Sequence, residues 1–238
     1  MKTFIIGDIH GQAGALAALL KKLRPDPRQD WLVFLGDLFD RGPDSFQVFQ
    51  EVKRLAGLYG SRFVLLRGNH EDYLLSEKLT LQTRFVWERV GRGATVKSFR
   101  AHGARMEDAA PWLKERCRLF WKSEEQGRTS PVFQCVHAGL MVHPPEANDT
   151  QTLVHDHGVV LQNHYDGPLT VVGHIALENP TWFAGDGETL KTLEWGRRAL
   201  LPEKGVLCID TGCGKGGRLT GMVVDGGDFQ LECVAEKE

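Results

Sequence analysis

Three short polar stretches carry residue types that bind metal ions. Gly7-Asp8-Ile9-His10-Gly11, Gly36-Asp37-Leu38-Phe39-Asp40-Arg41-Gly42 and Gly68-Asn69-His70-Glu71 combine carboxylates, imidazoles and an amide. These are the oxygen and nitrogen donors that hard and borderline divalent cations take. Later, His137-Ala138-Gly139 and Gly173-His174 add two more imidazoles. Asp8, His10 and Asp37 make one candidate set; Asn69, His137 and His174 make a second. If the Asp37 carboxylate bridges the two, the ions stand ~3.5–4 Å apart, the spacing of two-metal hydrolytic centres. Singly, such an Asp is usually a turn or helix cap. Three motifs in fixed order, each placed directly after an apolar run, argue for one assembled site.

Those apolar runs must deliver the motifs. Phe4-Ile5-Ile6, Trp31-Leu32-Val33-Phe34-Leu35 and Phe63-Val64-Leu65-Leu66 read as buried strands within 2–7, 31–36 and 62–66. Between them, residues 13–23 show helical spacing stopped by Pro25 and Pro27. A second helix opens at Pro43, with apolar positions at Phe46, Val48, Phe49, Val52 and Leu55, and closes at Gly57 and Gly60. The pattern is βαβαβ. Strands this continuously apolar are covered on both faces, which predicts a parallel sheet flanked by helices.

From Glu71 to about Ser123 the sequence is mostly helical, reading either as a cap over the site or as a layer of the fold. Beyond it, short strands are expected at 131–136, 169–173, 181–184, 189–193, 206–210, 219–224 and 229–234, forming a second, more antiparallel sheet. Gly212, Gly214, Gly216 and Gly217 crowd one turn, as in a hairpin or at a close backbone approach. At 238 residues a single domain is expected over 1–238. With 42% hydrophobic and 25% charged residues the composition is that of a globular protein, and a formal net charge of -2 argues against non-specific nucleic-acid binding. No stretch approaches the ~18 apolar residues of a membrane span, and the first apolar run stops at Gly7-Asp8 before a signal sequence could form. Cys117, Cys135, Cys208, Cys213 and Cys233 include no C-x-x-C pair, which fits a reducing, cytoplasmic setting. Their expected role is packing, with an exposed thiol the alternative for Cys213 in the Gly-rich turn.

Taken together, G-D-x-H-G, G-D-x-x-D-R-G, G-N-H-E, His137-Ala138-Gly139 and Gly173-His174 resemble the phosphoprotein phosphatase branch of the calcineurin-like metallophosphoesterases. The resemblance spans most of the sequence. The ending Ile209-Asp210-Thr211-Gly212 is most similar to the phage phosphatases and symmetrical diadenosine tetraphosphatases of that branch. It implies an α/β (α+β), four-layer fold in which two mixed β-sheets form a sandwich flanked by helices. It also implies two divalent ions, Mn2+ in first place with Fe or Zn as alternatives. Asp8, His10 and Asp37 would bind one, and Asp37, Asn69, His137 and His174 the other. His70 would be the catalytic imidazole, held protonated by Asp40. Arg41 would grip phosphate oxygens alongside Asn69. The reaction implied is direct attack on phosphorus by a hydroxide held between the ions, with His70 protonating the leaving group.

The match has gaps. Relatives of the phage type carry a W-x-R stretch between the two late histidines, and here Leu140 to Val172 contains no Arg or Lys. Arg92, Arg100, Arg105 or Lys215 could supply the missing cation. His143, His155, His157 and His164 of that interval read as solvated surface. Gly173-His174 is followed by Ile175-Ala176 where many relatives have Thr-Pro. Arg67 reads as a structural ion pair or a further anion contact. The expected substrates are phosphomonoesters, Ser/Thr phosphoproteins among them. The rival is a dinucleoside polyphosphate, which Arg84, Arg89, Arg92, Arg100 and Arg105 would suit. A catalytically silent metal-binding module and a cyclic-nucleotide or nucleic-acid phosphodiesterase are the remaining readings.

Overall fold

A computed structural model of the protein describes residues 1–127 and 131–236. Strands β1 (Thr3–Ile6), β2 (Trp31–Phe34) and β3 (Phe63–Leu66) pair in parallel, joined by α1 (Ala13–Leu23) and α2 (Ser45–Tyr59). The βαβαβ expectation holds, except that α2 runs through Gly57 and stops only at Gly60, whose φ of 56° ends the helix. Alternate side chains of these strands face opposite ways, as the period of two requires. Phe4, Ile6, Leu32, Phe34 and Leu65 pack beneath α1 and α2, while Ile5, Val33, Val64 and Leu66 face a second sheet.

Helices α3 (Asn69–Leu75), α4 (Leu81–Arg89), α5 (Arg92–Ala101) and α6 (Ala110–Arg116) follow β3. The helical expectation for 71–123 holds to Arg116. It then gives way to β4 (Cys117–Arg118), which pairs in parallel with β3, and β5 (Phe120–Lys122), which pairs with β6 (Gln134–Val136). These short strands have too few residues for a legible period, so they read as a continuation of the helices.

After β6 come α7 (Thr150–His155), α8 (Gly158–Leu161), β7 (Thr170–Val172), β8 (Thr181–Phe183), β9 (Leu190–Thr192), β10 (Arg198–Leu200), β11 (Val206–Cys208), β12 (Arg218–Asp225) and β13 (Asp228–Ala235). The sheet orders are β10-β13-β12-β1-β2-β3-β4 and β5-β6-β7-β11-β8-β9. The late strands therefore do not all form the second sheet. β12 pairs antiparallel with β1, from Thr3 opposite Val224 to Ile6 opposite Gly221, and β13 and β10 follow it. With β2 on one side, β1 has a second edge to satisfy, and β12 satisfies it. The first sheet is mixed, not purely parallel.

Trp121, Val171, Leu207, Met222 and Leu231 join Ile5 and Val33 between the sheets, while Leu153, Val154 and Val160 of α7 and α8 cover the outer face of the second sheet with Val136, Val172 and Cys208. The result is helices, sheet, sheet, helices, the sandwich that the sequence resemblance implied. No helix among the described residues is long and apolar enough to cross a membrane.

Candidate metal centre

The parallel strands end on one edge, so the residues that follow them converge there. Ile9 and His10 donate their backbone N–H groups to Asp37 O, and Gly42 N donates to His10 O, which knits the loops after β1 and β2 into one unit. Among the described residues, His10, Asp37, Asp40, Arg41 and His174 have positive φ, with only Arg24 and Asn163 showing it elsewhere outside glycine. Backbone strain of this kind persists where surrounding structure over-determines it, and it gathers at functional sites. Two glycines permit the closest approaches: a Cβ at Gly68 or at Gly173 would stand 2.1 Å from Asp37 Oδ1 or Asp8 Oδ1 respectively.

Two groups of donors result. His10, Asp37 and His70 form one, and Asp37, His137 and His174 the other, with Asp37 common to both. Asp37 Oδ2 lies 3.5 Å from His10 Nε2 and 3.8 Å from His70 Nε2; Asp37 Oδ1 lies 3.5 Å from His137 Nε2. Asn69 Oδ1 is 3.2 Å from His137 Nε2 and 2.9 Å from His174 Nδ1, which places the amide oxygen in the second group. Asp8 is in neither group. Its Oδ2 accepts from His174 N at 2.9 Å, while its Oδ1 is buried without a hydrogen-bond partner.

The donor chemistry fits divalent cations. His10 Nδ1 donates to Phe39 O and His137 Nδ1 to Leu35 O, both at 2.8 Å, so each ring turns its Nε2 lone pair inward. The guanidinium of Arg41 meets His10 Nε2, a cation seated on that lone pair. An unpartnered Asp8 oxygen beside a shared carboxylate is the other sign of a place for positive charge.

The electrostatics separate the imidazoles. Burial lowers His10 and His137, and burial with the nearby His137 lowers His174 to about 2, so these three stay neutral as ligands require. For His70, burial also lowers, but Asp37 and the hydrogen bond to Asp40 outweigh it and raise the imidazole above its ordinary value. Burial would raise Asp37, yet the four surrounding histidines hold its carboxyl well below the usual carboxylate range. Asp8 is raised by burial and by Asp210 and Asp37, a repulsion that positive charge would relieve.

Sequence reading set Asp40 behind His70 but did not find Trp87, Thr95 or the role of Glu71. Asp40 Oδ2 accepts from His70 Nδ1 at 2.6 Å and from Trp87 Nε1 at 2.7 Å, and its Oδ1 accepts from Thr95 Oγ1 at 2.6 Å. Trp87 lies on α4 and Thr95 on α5, so the helical segment grips the carboxylate directly. Buried Glu71 accepts from Asp37 N at 2.7 Å, Leu38 N at 2.9 Å and Gly68 N at 3.1 Å, pinning one metal-binding loop to the next. Its place within G-N-H-E was a signal that could have marked it.

Other expectations are resolved. For Cys213 the packing role holds over the exposed-thiol alternative: it is fully buried, and its Sγ donates to Ile9 O at 3.4 Å because the Gly-rich turn packs under the Asp8–His10 loop. His155 is half-buried, its Nε2 2.8 Å from Asp72 Oδ2, whereas His157 is exposed as expected, with its ring 4.3 Å from that of His174. Arg67 pairs with Asp72 at 3.4 Å, the structural option. Arg92 stacks on Trp87 and bonds Glu88, while Arg105 pairs with Glu107.

Comparison with known proteins agrees with this architecture. The chain is 37% identical over 122 residues to serine/threonine-protein phosphatase 1 of Salmonella typhimurium, covering 48% of this chain and 53% of that protein. It is 48% identical over 75 residues to the symmetrical bis(5'-nucleosyl)-tetraphosphatase of Photorhabdus laumondii, covering 32% of this chain and 26% of that one. The matched stretches thus span about half the length of the first relative and about a quarter of the second. A metallophosphoesterase from Sphaerobacter thermophilus shares the fold at a TM-score of 0.63 and 16% identity, covering 98% of this chain and 88% of that one. A Saccharomyces cerevisiae serine/threonine phosphatase does so at 0.62 and 15%, covering 98% and 79%. The profile of the calcineurin-like phosphoesterases matches residues 1–206, and the chain belongs to that family.

Proposed function

We propose that the protein is a dinuclear-metal phosphoesterase that hydrolyses phosphomonoesters, Ser/Thr phosphoproteins among them, with His70 as general acid. Asp8, His10 and Asp37 would hold one divalent ion, and Asp37, Asn69, His137 and His174 the other. Mn2+ is the first choice, and Fe or Zn suit the same donors. When bound, such ions acidify water from about 15.7 to near 7 and neutralise phosphate oxygens. Asn69 and Arg41 then face the phosphoryl group, Arg41 leaving His10 to bond its oxygens. His70 gives its proton to the leaving oxygen, and Asp40 stabilises the charged ring until it does. A cytoplasmic setting is part of the proposal, supported by five cysteines that are all free.

One observation carries the assignment of His70. In a pocket where three imidazoles are pushed toward neutrality, His70 alone is raised, through Asp37 and the 2.6 Å contact with Asp40. Opposed shifts in one site mark an acid among ligands. His70 Nε2 also lies close enough to Asp37 to be a ligand, so the variant His70→Asn decides. It is expected to keep two metals per chain by elemental analysis and to lose about 10²-fold or more in turnover on poorly activated esters. Loss of one metal equivalent would make His70 a ligand.

A second reading, hydrolysis of dinucleoside polyphosphates, draws on the 48% identity to a symmetrical tetraphosphatase. The two are separated by metal-free protein resupplied with Mn2+ and given p-nitrophenyl phosphate, a phosphoserine peptide and diadenosine tetraphosphate in parallel. The first reading expects preference for the peptide over the dinucleotide. Preference for the dinucleotide would replace it, and silence on all three with two metals bound would overturn both.

A further inference from the structure

The turn between β11 and β12 holds an anion. Gly212, Gly214 and Gly216 have φ of 80°, 81° and 86°, which coils the backbone so that the amides of Gly214 and Gly216 converge while Lys215 N turns to Gly212 O. Gly214 N and Gly216 N both donate to Glu236 Oε2, at 3.1 and 2.7 Å, and Gln12 Nε2 donates to Glu236 Oε1 at 2.7 Å. Gln12 directly precedes α1, whose first turn holds no acidic residue to offset its positive end. Backbone amides gathered in this way form a concavity that binds oxyanions. The chain's own carboxylate is the occupant.

This concavity adjoins the metal centre. Ile6 pairs with Gly221 and Arg218 with Ala235, so β13 ends at the edge where β1 hands over to Asp8. A Cβ at Gly214 would stand 2.5 Å from His10 Cβ and 3.3 Å from Arg41 Cβ. Cys213 Sγ, on Ile9 O, ties the turn to the same loop. Lys215 projects from the exposed crown of the turn, and its charge reaches Asp210. The interval from Leu140 to Val172 has no Arg or Lys, so Lys215 is a cation that this interval does not supply.

We propose that the Gly212–Gly217 turn, with Gln12 and Lys215, is a subsite for a second phosphoryl group of the substrate, and that Glu236 fills it until such a group displaces the carboxylate. The assignment rests on the second reading, hydrolysis of dinucleoside polyphosphates, and gives a further phosphoryl group of that chain its place. A phosphoryl group offers more charge and more acceptor oxygens than a carboxylate, so Lys215 and the amides favour the exchange. A tethered competitor present most of the time weakens apparent affinity by the fraction of sites left open. Removing it restores that fraction.

The test is calorimetric binding of tripolyphosphate and of orthophosphate to Mn2+-loaded protein at one free Mn2+ concentration. Glu236→Ala is expected to tighten tripolyphosphate by roughly three- to tenfold, for a site that is mostly filled, and to leave orthophosphate unchanged. Glu236→Gln, which keeps the length of the side chain, is expected to shift binding in the same direction. Lys215→Ala is expected to loosen tripolyphosphate about threefold or more, the loss of one exposed charge contact. Equal shifts for both ligands, or no shift in any variant, would overturn the subsite. Binding does not depend on turnover, so failure of the dinucleotide reading would show separately, as inactivity on diadenosine tetraphosphate.

Discussion

His70 and its neighbours His10, His137 and His174 differ less in burial than in partner. Backbone carbonyls take Nδ1 of His10 and His137, whereas a carboxylate takes Nδ1 of His70. Asp40→Asn removes that charge. A raised imidazole keeps its proton below its folded pKa and loses it above, so the variant is expected to move the alkaline limb of the rate profile to lower pH and to cut turnover roughly 10²-fold. An unmoved limb would remove Asp40 from the role. Glu71 is pushed up to about 7 by burial and Asp37, yet its two oxygens accept three backbone N–H groups. Glu71→Gln turns an N–H2 toward at least one of those donors. It is expected to cost about 1–3 kcal/mol in denaturant unfolding, the cost of an unsatisfied buried polar group.

The helices after β3 do more than cover the first sheet. Trp87 on α4 and Thr95 on α5 each bond one oxygen of the Asp40 carboxylate and so fix its plane. Trp87→Phe keeps the ring and loses one hydrogen bond to a charged group. Turnover is expected to fall about tenfold with metal content unchanged, matching a contribution of ~1.5 kcal/mol. This contact was not legible in the sequence. Helical spacing says which face of α4 is buried, and nothing local says that the buried Trp meets a residue 47 positions earlier. By contrast, β1 through β3 and the ligand loops were legible, because each strand and its motif are contiguous. The return of β10, β12 and β13 to the first sheet was not, since strand pairing partners are set by tertiary packing.

At the scale of the molecule, the centre sits where both sheets and the helical layers meet, with three buried carboxylates, Asp8, Asp37 and Asp210, in mutual repulsion. Folding must overcome that repulsion, and bound cations relieve it. Saturation at a hundredfold above Kd adds about 2.7 kcal/mol. Mn2+ is therefore expected to raise the thermal unfolding midpoint and a chelator to lower it, as followed by calorimetry. An unchanged midpoint would argue against high-affinity binding. The shared place of Asp37 was legible in the sequence; that Asp8 stands apart while His70 joins His10 and Asp37 was not.

The pairing of β1 with β12 has a consequence for how the protein is made. Gly7 N donates to Thr220 O, and residues 3–6 find their second neighbour only in residues 221–224. A ribosome therefore emits the Asp8 and Asp37 loops long before their frame exists, and the nascent β1 carries an open edge throughout. Native pairings of such sequence separation form late. Chains stalled at residue 200 are expected to be protease-sensitive at β1 and unable to retain Mn2+, and extension past residue 235 is expected to bring protection and metal retention together.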